Sequence, residues 1–242
     1  TSANEMGHMT LAVTDAPGLD FDKAFVTIKE LRIHQLDSAG SEDGGWHRFT
    51  LPEPVTVDLA SLNNGAMANV FNDVTLPVGN YKQIRIVLAD SDDALTASAQ
   101  AKGLQTNNEI QYSAAGATKV APLEIAYPIQ GITLLGNFSV STDKTLRLLV
   151  DFDIGHDIVR FRHGGQDGFT MKPILHYFDL DAAGAIVGQV DTSACAALST
   201  PCTDFVIKAE STGDSGSAVR RVVRATSVKP DGSFVLYPVP AG

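Results

Sequence analysis

Three histidines and a group of aspartates are the residues whose types and spacing best suit chemistry. His156, His163 and His176 lie in one stretch, with Asp151, Asp153 and Asp157 beside the first of them. Imidazoles next to carboxylates suit a transition-metal site or an acid–base pair, because histidine titrates near neutrality and a carboxylate orients or charges it. Asp151 and Asp153 form an i, i+2 pair and therefore share one face of a strand; Asp20 with Asp22, and Asp179 with Asp181, repeat that spacing. Such pairs, joined by backbone carbonyls, supply the hard oxygen ligands that calcium takes.

The competing reading is plainer. Paired acids flanking a buried phenylalanine are also what a solvated sheet edge produces, and that is the expectation adopted for Asp151 and Asp153. The three histidines are expected at the surface or in structural roles. The chain contains no H-E-x-x-H, no G-x-S-x-G and no EF-hand loop. Glu109, Glu124 and Asp151 are carboxylates of the type a glycoside hydrolase needs, and Trp46, Tyr112 and Tyr127 are aromatics a sugar could stack on, but Trp46 reads better as a core plug. No catalysis and no cofactor are expected, with calcium as the alternative ligand and a hydrolase behind it.

The elements that position these residues are strands. Leu146, Leu148, Val150, Phe152 and Ile154 alternate with Arg147, Asp151 and Asp153, the pattern of a strand with one buried face, broken by Leu149. The segment from Lys144 to Leu180 reads as a closing hairpin that turns through Gly155, His156 and Asp157 and passes a glycine-rich corner at Gly164, Gly165 and Gly168. Upstream, the apolar positions change parity between Ile28 and Leu31, which predicts a β-bulge near Lys29 and Glu30. Pro52 and Pro54 suggest a corner, Asn63-Asn64-Gly65 a turn, Met67 to Phe71 one helical turn, and Leu76-Pro77-Val78-Gly79 a tight turn. Asp90 to Asn108 reads as an excursion outside the core. Many short strands with turn chemistry between them argue for a sandwich.

At 242 residues and 44% hydrophobic, the chain can bury a core, and its net charge of −10 excludes nucleic acid as an expected partner. No apolar run reaches the ~20 residues of a membrane-spanning helix. Residues 1–9 read as a tag or linker, which removes His8 from consideration. Cys195 and Cys202 are expected to form a disulfide closing a small polar loop, and a disulfide implies export.

Several pieces together carry a resemblance. Leu11-Ala12-Val13-Thr14-Asp15-Ala16-Pro17, Val26 to His34, Leu76 to Tyr81 with Gln83-Ile84-Arg85, Val150-Asp151-Phe152-Asp153 with Ile158-Val159, and Lys172-Pro173-Ile174 resemble a bacterial envelope family catalogued as domain of unknown function 4382. The resemblance implies an exported β-sandwich, often lipid-anchored to the outer membrane. Downstream, Gly184 to Val190 and Asp231 to Gly242, with a hairpin turn at Asp231-Gly232 and a corner at Pro240–Gly242, are similar to the carboxypeptidase regulatory-like module, which implies a small, non-catalytic transthyretin-like sandwich.

The expected protein is therefore all-β, built of tandem β-sandwiches. A larger Ig-like or transthyretin-like sandwich spans 10–180 and a smaller transthyretin-like one spans 181–242. It is expected outside the cytoplasm, at the bacterial outer membrane, cell surface or periplasm, binding a protein or glycan and touching a membrane only through a lipid anchor.

Overall fold

A computed structural model describes residues 5–17, 20–126, 128–212 and 220–240. The expectations on residues 1–4, Gly18, Tyr127 and the corner beyond Pro240 lie outside the described residues. The fold is all-β. One four-stranded sheet has the order β12 (His176–Asp179), β9 (Leu146–Phe152), β1 (Met6–Asp15), β4 (Ala68–Pro77). An eight-stranded sheet runs β10 (Ile158–His163), β11 (Gln166–Met171), β7 (Ala117–Ile125), β6 (Glu109–Ala114), β2 (Lys23–His34), β5 (Gly79–Leu88), β8 (Ile132–Val140), with β3 (His47–Asp58) on the other edge of β2.

The core lies where the apolar positions of the two sheets meet. Leu11, Val13, Leu148, Val150 and Phe152 of the smaller sheet share one cluster with Val26, Ile28, Ile84, Ile86 and Phe138 of the larger, all essentially inaccessible to solvent. The predicted bulge in β2 is present, since the pairing of β2 with both β3 and β5 shifts register between Ile28 and Glu30.

Several expectations need correction. β1 begins at Met6, not Thr10: Met9 is buried, and His8 hydrogen-bonds Asp73 at 2.8 Å, so residues 6–9 are integral to the sheet. β3 spans Pro52 and Pro54, but its pairing with β2 jumps from Val55 to Thr50 opposite Ile28 and Glu30, so both prolines sit where no ladder bond is made. Met67 to Phe71 leads into β4 and is not helical.

The expected closing hairpin is also split. β9 runs parallel to β1 and antiparallel to β12, while the Gly164-Gly165 turn, both residues at positive φ, joins β10 to β11 in the other sheet. The crossing is made by α2 (Ile154–Asp157), a single turn whose start is capped by Asp153 and whose Ile154 is anchored in the core.

The excursion from Asp90 to Asn108 is partly core. β5 and β6 both pair with the same edge of β2 and diverge at Thr27. Asn108 fills the fork: its side chain accepts from the Thr27 N–H at 2.9 Å and donates to the Ala89 carbonyl at 2.7 Å, and it is fully buried. Asn107 beside it donates to the carbonyls of Asp90 and Ala94 and holds the turn that leads into α1 (Ala97–Ala101).

The remaining chain forms two ribbons, β13 (Ala183–Gln189) with β16 (Ser233–Pro240) and β14 (Val206–Thr212) with β15 (Arg220–Ser227). The Asp231-Gly232 turn joins β15 to β16, which belong to different ribbons, so it is not a hairpin turn. Cys195, near the end of α3 (Thr192–Ala197), is bonded to Cys202 as expected, and with Val228 they form a small core of their own.

Replacing Asn108 by alanine leaves the Thr27 N–H and Ala89 carbonyl unpaired in a dry site, an expected loss of about 2–3 kcal/mol. Urea denaturation checks this through a lowered midpoint at unchanged slope.

Candidate functional site

A cleft of about 940 Å³ lies between the four-stranded sheet and the C-terminal ribbons. Its chemistry-bearing lining is Asp20, Asp151, Asp153, His156 and His176 on one side and Lys208 and Arg224 on the other. Five of the seven sequence-derived ligand candidates therefore converge here. Asp22 does not, and instead accepts from the Ser113 hydroxyl at 2.8 Å; His163 sits exposed at the far tip of the β10–β11 hairpin.

The floor of the cleft is an ion pair. Arg224 reaches from β15 to Asp151 on β9, with Nη1 donating to Oδ1 at 2.6 Å, and both groups are nearly sealed from water. The guanidinium also donates to the Thr14 hydroxyl and the Asp15 carbonyl on β1, each at 3.1 Å, and to the Tyr237 carbonyl on β16 at 3.1 Å. Thr14 in turn donates to the Ala66 carbonyl at 2.8 Å. Asp151 is thus not a solvated edge residue. Its polar side of β9 is covered by the docked C-terminal unit, and burial pushes its carboxyl pKa up against the opposing pull of Arg224.

Around the pair, the Asn63-Asn64-Gly65 turn completes the junction. The Asn64 N–H donates to the Thr226 hydroxyl at 3.0 Å and the Asn64 side chain accepts from the Val235 N–H at 3.2 Å. Asn64 and Gly65 both hold positive φ, which is how the main chain turns to present these groups.

The carboxylates next to the pair are engaged by backbone. Asp15 accepts from the Ile154 N–H at 3.0 Å, and burial raises its pKa well above the ordinary value. Asp157 accepts from the Asp153 and Ile174 N–H groups, each at 3.1 Å, and burial raises it to about 6. Asp153 caps α2 and meets the His156 Nδ1 at 2.8 Å, with the imidazole facing solvent.

Among the described residues, no group of three or more His, Cys, Asp or Glu side chains is arranged to hold a metal ion. Of the glycosidase candidates, Glu109 is buried and bound to the Gln105 N–H at 2.7 Å, and only Asp151 reaches the cleft. Trp46 packs against His34 and under Arg85, on the larger sheet. Sequence reasoning missed Arg224 and Asp15, and took Asp157 as a partner for a histidine rather than as an acceptor of backbone N–H groups. Asp157 had a local signal, since an acid ending a short turn is a natural amide acceptor; Arg224 had none.

Fold and site together define an all-β protein with a polar cleft at the junction of two units. The family model described as domain of unknown function (DUF4382) matches residues 6–173, more than half of the chain, and the chain belongs to that family. No curated protein and no solved structure matches it. The matched region stops short of Arg224, so the ion pair joins the family domain to the C-terminal ribbons.

Removing either partner strands a buried charge. Arg224→Met and Asp151→Leu are each expected to lose about 3–5 kcal/mol, and the double variant far less than their sum; a double-mutant cycle by chemical denaturation measures this. The pH dependence has a definite sign. Between about pH 4 and 6 native Asp157 keeps a proton that the unfolded carboxyl has released, so stability falls as pH rises through that window. Asp15 and Asp151 act in the same direction. Asp157→Asn is expected to remove on the order of 2–3 kcal/mol of that change, read from melts collected between pH 4 and 7.

Proposed function

We propose that this chain is a non-catalytic, exported protein of the bacterial surface or envelope, and that the cleft between its two units binds a protein or glycan ligand. One observation carries the reading: two of the carboxylates in the cleft are already engaged in holding the fold. Asp151 is spent on Arg224, and Asp153 on its helix cap and on His156. The cleft then offers a ligand shape and hydrogen-bonding groups, the imidazoles of His156 and His176 among them.

The location rests on the disulfide, a bond that persists in oxidising compartments, together with the envelope association that the family resemblance implies. Any contact with a membrane is proposed to run through a lipid anchor, and nucleic acid is not a proposed partner of a chain carrying −10. We read the C-terminal unit as a carboxypeptidase regulatory-like module, on the support of its two facing ribbons and its own small core.

Glycan and peptide arrays probed with the whole chain test this. Retained ligands should be lost on Lys208→Glu in the cleft wall and recovered chemically unaltered. Turnover of an arrayed ligand, or retention indifferent to the substitution, contradicts the proposal.

Calcium at the aspartates is the second reading, favoured by the clustering of Asp20, Asp151 and Asp153 along one cleft. With Asp151 already neutralised, millimolar calcium is expected to leave the melting temperature within about 1 °C. A rise of several degrees that chelator reverses would favour calcium instead.

A further inference from the structure

We infer that the ligand of the cleft is an extended polypeptide segment, which adds to the open edge of β12 as a fifth strand of the smaller sheet. The inference rests on the cleft being the binding site, and it names what binds there. β12 ends its sheet, pairing with β9 on one side and with no described strand on the other. Three consecutive residues of it, His176, Tyr177 and Phe178, border the cleft. Successive side chains of a strand point to opposite faces, so a run of neighbours borders one space only along the strand's edge, where its main-chain N–H and C=O groups lie.

Tyr177 shows this most directly. Its ring packs against Phe138 with centroids 4.8 Å apart and its hydroxyl accepts from the Asn137 N–H, so the side chain is directed to β8 and its main chain is left beside the cleft.

Four other edge strands are blunted in the ways sheets use to avoid pairing. β10 carries Arg160 and Arg162, β14 carries Lys208, β16 contains Pro238 and Pro240, and the Asn137 N–H of β8 is taken by Tyr177. β12 has instead a walled slot alongside it. The facing ribbon offers Val206 and Lys208 from β14 and the run Val222 to Ala225 from β15. An edge that supplies hydrogen bonds opposite a wall that supplies mainly apolar contacts is the arrangement by which sheets take up a peptide strand. Since the Arg224–Asp151 pair cancels charge at the floor and the rim carries both signs, the slot suits a segment with alternating apolar and small uncharged residues.

The probe is a fluorescein-labelled peptide of about ten residues with alternating valine and threonine, titrated with the whole chain and followed by fluorescence polarisation. Two further peptides are N-methylated at the odd or at the even amides. Saturable binding is expected, weakened roughly tenfold or more by one methylation phase and little by the other, because only alternate amides face β12. Val206→Arg should weaken binding similarly, and Val223→Arg serves where the first variant melts lower than the parent chain. Absence of saturation up to about 1 mM, equal effects of the two phases, or binding indifferent to both variants overturns the inference. If a glycan binds in a cleft-dependent way and the peptides do not, the strand-addition inference falls while the binding function stands; if nothing on either array needs the cleft, both fall.

Discussion

A guanidinium sealed from water is the constraint on which the rest of this structure depends. Burying a cation is tolerable only where it is paired and hydrogen-bonded, and every nitrogen of Arg224 finds an acceptor by drawing on three strands of two units: Asp151 of β9, Thr14 and Asp15 of β1, and Tyr237 of β16. The C-terminal ribbons, whose own core is little more than a disulfide and Val228, are therefore held in place by a polar lock, with the Asn64 turn as a second point of attachment. The cleft is the space left where the lock brings the two units together without filling the junction.

The same logic governs the family domain. Where a sheet must fork, at Thr27, an asparagine side chain replaces the missing strand; where the chain must cross between sheets, at Ile154, the carboxylates of Asp15, Asp153 and Asp157 hold the turn. Buried polar side chains thus do here what regular ladders do elsewhere. Asp15 and Asp157, used in this way, sit in dry surroundings, and burial raises their pKa values.

Much of the architecture was legible in the residues. Alternation located β2, β5 and β9, the parity change at Lys29 located the bulge, the paired glycines located the β10–β11 turn, and the spacing of Cys195 and Cys202 located the disulfide. What escaped was long-range. Asp151 looks solvated because it falls with Arg147 and Asp153 on the polar side of the alternation in β9, and its partner lies 73 residues away in a strand with no distinguishing motif. Asn107 and Asn108 look like loop because polar residues usually are, and only the fork in the sheet makes them core. The cleft itself was half visible: Asp153, His156 and His176 cluster in the sequence, but the wall that turns them into a site comes from another unit.

The central claim is that the ion pair makes the two units one cooperative body. Scanning calorimetry of the whole chain near neutral pH tests it most directly. The account predicts a single transition whose calorimetric and van't Hoff enthalpies agree, a ratio of about one. Two resolved transitions, or a ratio well above one, would mean that the units unfold separately and would contradict it.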